Sequence, residues 1–167
     1  MKRKTIGALF IALSITIAGN ACAQGKDGLG IGVIVGEPTG LSLKNWITGT
    51  RALAAGIAWS FSDNASLHLH GDYLVHRFDR VSVPELKGAL PLYYGLGARI
   101  KFKEDNRGRG RNKDDALIGI RFPLGISYLF ADASIDLFAE IVPVLDVAPD
   151  TDFGFNAALG ARWYFGK

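Results

Sequence analysis

The stretch that most constrains this 167-residue chain is Thr151 to Phe165, TDFGFNAALGARWYF. Every second residue from Phe153 gives Phe153, Phe155, Ala157, Leu159, Ala161, Trp163 and Phe165; the alternate row is Gly154, Asn156, Ala158, Gly160, Arg162 and Tyr164. The first row stays apolar along its whole length and is aromatic at both ends. That is the pattern of a strand whose apolar face meets lipid, with aromatic girdles at the two interfaces and a polar row turned into a barrel. A closed barrel requires the rest of the chain to supply matching strands.

The N-terminus stands apart. Lys2, Arg3 and Lys4 precede an apolar run from Ile6 to Ala18, and Ala21-Cys22-Ala23 forms a small-x-small cleavage site before Gln24. This reads as a cleaved secretory signal peptide over residues 1–23, too short to span a bilayer, with a single barrel domain over residues 24–167. Cys22 is a poor lipoprotein cysteine, because Gly19-Asn20-Ala21 lacks the larger aliphatic residue such signals favour. With the chain's one cysteine removed, a disulfide scaffold and a thiolate metal site are both excluded. Cleavage also removes three Lys/Arg and no Asp/Glu. The remaining 16 bases (19 − 3) balance 16 acids, so no net basic charge supports nucleic-acid binding.

Strand patterning recurs down the mature chain. GLGIGVIV, the GEPTG turn and LSLKNW form a hairpin; Arg51 to Phe61 and Ala65 to Phe78 form strands three and four around Ser62-Asp63-Asn64. The glycines of the first strand lack the G-x-G-x-x-G spacing of a dinucleotide loop and suit the inward row of a narrow barrel. The connection Asp79 to Gly88 leads to strand five, Leu90 to Phe102. Strand six, Ala116 to Leu129, contains Pro123, which predicts a bulge or local break, and strand seven, from Ser134, is expected to be interrupted in the same way at Pro143. Lys103 to Asp115, with five basic and four acidic residues, is a solvated loop. No segment after the leader has the i, i+3, i+4 apolar spacing of a substantial helix. The predicted fold is all-β: an eight-stranded antiparallel up-and-down transmembrane β-barrel.

A soluble ligand-carrying barrel is the structural rival. It would place Trp59, Phe122, Phe153, Phe155, Trp163 and Phe165 in a small lumen, for which the glycines and alanines of the opposite row are better suited. The charged row is therefore expected inside, where unpaired charge is costly. Counting from the turns predicts an interior cluster of Arg121, Asp136, Glu140 and Arg162, with Asp72 answering Arg99. His68, His70 and His76 share the inward face of strand four with Asp72. His-x-His on a strand is a pattern for a metal site or a hydrolase base; interior polar packing is the reading preferred, with no catalytic residue, metal or cofactor assigned. Ser60 and Ser66 sit near strand ends without a G-x-S-x-G setting.

GVIVGEPTGLSLKNW, LPLYYGLGARIKF, GIRFPLGISYLF and FAEIVPVLDVAPDTDFGFNAALGARWYF together resemble a family of small outer-membrane β-barrel proteins. That family was first grouped as a domain of unknown function in Borrelia and other bacteria, and is similar in architecture to the OmpA transmembrane domain. The resemblance implies an eight-stranded barrel in the outer membrane and brings no catalytic residue. The expected role is structural or surface-interaction. The alternatives are a lipid-modifying barrel enzyme, with His68 or His70 as base, and a narrow channel. The expected partners are outer-membrane lipid, the barrel-assembly machinery through the C-terminal strand, and an extracellular ligand at loop 103–115.

Overall fold

The structure, a computed structural model, describes residues 28–60, 66–81, 83, 85–103 and 116–165. The leader over 1–23, the Ser62-Asp63-Asn64 turn and all of loop 103–115 beyond Lys103 lie outside the described residues. The strands are β1 (Leu29–Glu37), β2 (Thr39–Thr48), β3 (Arg51–Ser60), β4 (Ser66–Arg77) and β5 (Gly88–Ala89). They continue with β6 (Leu92–Lys103), β7 (Ala116–Arg121), β8 (Leu124–Phe130), β9 (Ile135–Ala148) and β10 (Asp152–Phe165). All neighbours are antiparallel, and β10 pairs with both β9 and β1, which closes the sheet into a ring. The ring has eight walls, because β5 continues β6 along β8, while β7 and β8 are two halves of one wall.

The two prolines behave differently from each other. The β7–β8 wall breaks at Phe122-Pro123, yet its register against β6 and β9 is the same on both sides of the gap, so this is a local break rather than a bulge. Strand β9 runs through Pro143 without interruption, contrary to expectation. The Pro143 carbonyl accepts from the Phe122 N–H at 2.9 Å, so its missing donor faces the same point. The Pro123 carbonyl accepts from the Gly95 N–H on β6, so the two missing donors lie in different ladders, that of Pro123 toward β6 and that of Pro143 toward the β7–β8 wall, and only the latter wall breaks. On the terminus side, the β4–β6 connection is stapled by the Arg77 guanidinium, which donates twice to Asp79. Those bonds hold the Asp79 carboxyl at about 2, below the usual carboxylate range.

Closure fixes the shape. Followed around the ring from Gly30, the register passes through Lys44, Ala54, Asp72, Gly97, Arg121 and Val144 to Gly154. Gly30 itself pairs with Tyr164, ten positions beyond Gly154 (164 − 154), so the barrel has a stagger of ten residues. Eight strands with that stagger tilt by about 40° and place the backbone roughly 8 Å from the axis. Side chains alone fill such an interior.

The faces divide as the alternation demands. Phe155 and Leu159 are 66% and 64% exposed, whereas Lys44, Arg121 and Asp136 are 1%, 2% and 0% exposed. Large apolar residues form the outer surface, and the core holds the charged residues together with Ile34, Leu74, Phe138, Val142 and Val144. Phe153 and Phe165, which bound the outer row of β10, are twelve positions apart, or about 30 Å along the axis at this tilt.

Inward glycines make room for their large neighbours. A Cβ on Gly119 would collide with the Asp146 carboxylate and crowd the Arg99 stem at 3.3 Å, whereas one on Gly154 would meet nothing within 4 Å. Gly119→Val is therefore expected to lower stability by about 1–3 kcal/mol through overpacking. Gly154→Val should stay within about 0.5 kcal/mol of the parent. Urea unfolding of both variants checks this, and equal losses would sink the assignment of lumen space.

Candidate functional site

The buried charges are organised in three groups along the lumen. At the end bearing the chain termini, Asp136 on β9 receives Lys44 at 3.3 Å, Arg162 at 3.6 Å and the Tyr164 hydroxyl at 2.8 Å. Both cations also lie on aromatic faces, Lys44 at 4.4 Å from the Trp46 ring centroid and Arg162 at 3.7 Å from that of Phe138. Arg162 Nε donates to Ser42 Oγ at 2.8 Å. His76 is stacked between Trp46 and Tyr93, with centroids 4.4 and 5.2 Å away. This layer of side chains forms a floor across the barrel.

In the middle, Arg121 grips Asp72 with Nε at 3.0 Å and Nη2 at 3.2 Å, and Nη2 lies 3.8 Å from Glu140. Tyr93 donates its hydroxyl to Glu140 at 2.9 Å. Toward the far end, Arg99 donates to both oxygens of Asp146 at 3.0 and 2.7 Å and to Asn156 Oδ1 at 3.2 Å. The Asn156 amide in turn donates to the Glu37 carbonyl at 2.9 Å. Four cations, Lys44, Arg99, Arg121 and Arg162, thus face four acids, Asp72, Asp136, Glu140 and Asp146. Bidentate arginine–carboxylate pairs are the form in which buried charge is best compensated.

The expected cluster is therefore two groups rather than one. Arg162 meets Asp136, and Arg121 approaches Glu140, on separate levels. The expected pairing of Asp72 with Arg99 does not form: Asp72 is taken by Arg121, and Arg99 by Asp146. The reason lies in the register. Asp72, Gly97 and Arg121 lie in one hydrogen-bonded row on three successive walls, as do Arg99, Gly119 and Asp146. Tyr93, Gly125 and Glu140 form a third such row, and Arg162, Gly32 and Ser42 a fourth. In each, the bonded partners stand two walls apart with a glycine between them. Lys44, Asp146, Tyr93, Tyr164 and Asn156 were absent from the sequence-derived cluster. The inward glycines Gly119 and Gly125 were the signal that would have found Asp146 and Tyr93.

All three histidines point into the lumen from β4, as do their neighbours Ser66 and Asp72. Ser66 Oγ and His68 Nε2 are 3.1 Å apart, and both residues are buried. The carboxylate on the opposite wall at this level, Asp146, is occupied by Arg99. Among the described residues, no three His, Cys, Asp or Glu side chains are grouped so as to hold a metal ion.

No family model matches the chain, and no curated protein matches it. Among solved structures it is similar to the N-terminal β-barrel domain of Pseudomonas aeruginosa OprF, with a TM-score of 0.61 and 16% identity over 85% of this chain and 100% of that one. At that identity the likeness concerns the fold. It supports the barrel architecture in the resemblance drawn from sequence and leaves the Borrelia-type family without support.

The far-end pair offers a clean test of charge compensation. Arg99→Met strands a buried carboxylate and is expected to cost about 3–5 kcal/mol, most of which Arg99→Met with Asp146→Leu restores. Urea midpoints measure both. A double variant no better than the single one would mean that pairing does not govern this site.

Proposed function

We propose that the chain is an integral outer-membrane β-barrel protein of a diderm bacterium, non-catalytic and structural or surface-interacting in role. The observation that carries this reading is the inverted distribution of its side chains: a belt of exposed Leu, Ile, Val and aromatic residues around a lumen of paired charge. Exposed apolar area of that extent is unstable in water. A belt of about 30 Å matches the hydrocarbon thickness of a bilayer, and a closed ring leaves no unpaired sheet edge in lipid. Residues 1–23 would then be the cleaved export signal and 24–167 the barrel. Outer-membrane lipid is the partner of the belt, the assembly machinery engages β10, and no nucleic acid is involved.

With the termini in the periplasm, strand parity would put loop 103–115 outside the cell, where an extracellular ligand could reach it. The lumen is too full for a diffusion pore. The Ser66–His68 contact is the feature that favours a lipid-modifying enzyme, but both side chains face the lumen, away from the lipid such an enzyme would have to reach.

Cell fractionation followed by gel electrophoresis with and without boiling tests the proposal. The protein is expected in the outer-membrane fraction and should migrate faster unboiled, as a closed barrel that resists detergent. Recovery as a soluble periplasmic protein with no mobility shift would overturn the reading and point to a soluble carrier instead.

A further inference from the structure

Between the middle and far groups, the lumen leaves a cavity of about 10 Å³ whose walls include His70, Arg121, Glu140, Asn156 and Ala158. That is roughly the space one water molecule requires. His70 reaches it from β4, its ring lying against Gly56, where the neighbouring wall has no side chain to displace it. Its Nδ1 is buried and has no hydrogen-bond partner in the protein. A ring nitrogen in that position has lost its hydration without a replacement.

The remaining polar walls carry both signs. Arg121 has Nε and Nη2 on Asp72, Glu140 accepts from Tyr93, and Asn156 has its amide oxygen on Arg99 and its nitrogen on the Glu37 carbonyl. An anion here would face Glu140, and a cation would face Arg121. A neutral molecule that both donates and accepts meets neither penalty.

We propose that this cavity is a specific site for one water molecule, which bonds His70 Nδ1 and bridges to the Arg121–Glu140 pair. The water then ties the His70 ring to the middle charge group. Water is small enough for the space and supplies donors and acceptor together. The site also accounts for an imidazole at position 70, where the ion pairs themselves require none.

The test uses the full barrel refolded in detergent, with ¹⁵N-labelled histidine, and reads water-selective Overhauser contacts to the His70 ring together with a high-resolution crystal structure. One long-lived water contact, and one density peak within hydrogen-bond distance of Nδ1, are expected. A dry cavity overturns the proposal. Ala158→Val projects two methyl groups into the space without touching a polar group. It should abolish the contact and shift the His70 ring ¹⁵N resonance, and persistence of the contact counts against this site. His70→Phe keeps the ring and removes the nitrogens. Its urea midpoint should fall below that of the parent, and an equal or higher midpoint overturns the claim that Nδ1 is hydrogen-bonded.

Discussion

An ion pair that crosses a wall of a narrow barrel forms only if its two side chains can pass over whatever lies on that wall. Adjacent walls are about 4.8 Å apart, so a long arginine is better matched to a carboxylate two walls away than to its immediate neighbour. Glycine on the intermediate wall is what opens that route. Gly97 between Asp72 and Arg121, and Gly119 between Arg99 and Asp146, turn what would be steric obstruction into two bidentate contacts. The same device serves a neutral contact, Tyr93 over Gly125 to Glu140. Glycine is a poor strand former, and its frequency here is the local cost of a charged core.

That core and the belt outside it are two consequences of one register. Period-two alternation keeps the apolar belt outward only if each wall holds its register, and a slip by a single residue would exchange the faces of the whole wall. The break at Phe122-Pro123 respects this rule: Arg121 and Leu124, on its two sides, keep one register against β6 and against β9, and the register shift against β9 falls elsewhere, at Ile118/Gly119. The ladder tolerates a missing donor more easily than a shifted face. Pro143, whose missing donor faces Phe122 on the neighbouring wall, opens no break in β9.

The strands, their facing and their number were legible in the sequence, because alternation over ten or more residues leaves little freedom once both ends are aromatic, as in Phe153 to Phe165. The break at Pro123 was legible for the same local reason. The continuity of β9 through Pro143 was not, since it depends on what the neighbouring wall presents to that proline. The ion pairs were only half legible. Arg162 with Asp136 are direct register partners and could be counted from a turn. Asp72 was matched to the wrong arginine because Arg99 stands on the adjacent wall, whereas the stagger of the closed ring carries each hydrogen-bonded row upward around the barrel and brings Arg121 to Asp72 across Gly97. The glycine rows carry that information, but they acquire meaning only after the registers are known.

The floor at the terminus end bears on where activity can reside. Lys44 and Arg162 do not line an open path: each is held between Asp136 and an aromatic face, and Tyr164 donates to the same Asp136 oxygen, Oδ2, that Lys44 uses. Moving either cation breaks a charge contact and an aromatic contact together, while His76 and Tyr93 continue the layer from the opposite walls. An interior fixed by so many simultaneous contacts contributes rigidity more readily than transport. On the proposed reading, the lumen specifies and stabilises the barrel, and recognition falls to what the barrel displays beyond the membrane, with loop 103–115 as the longest segment on that side. Rigid strands carrying a long polar connection are the arrangement in which binding sites commonly arise.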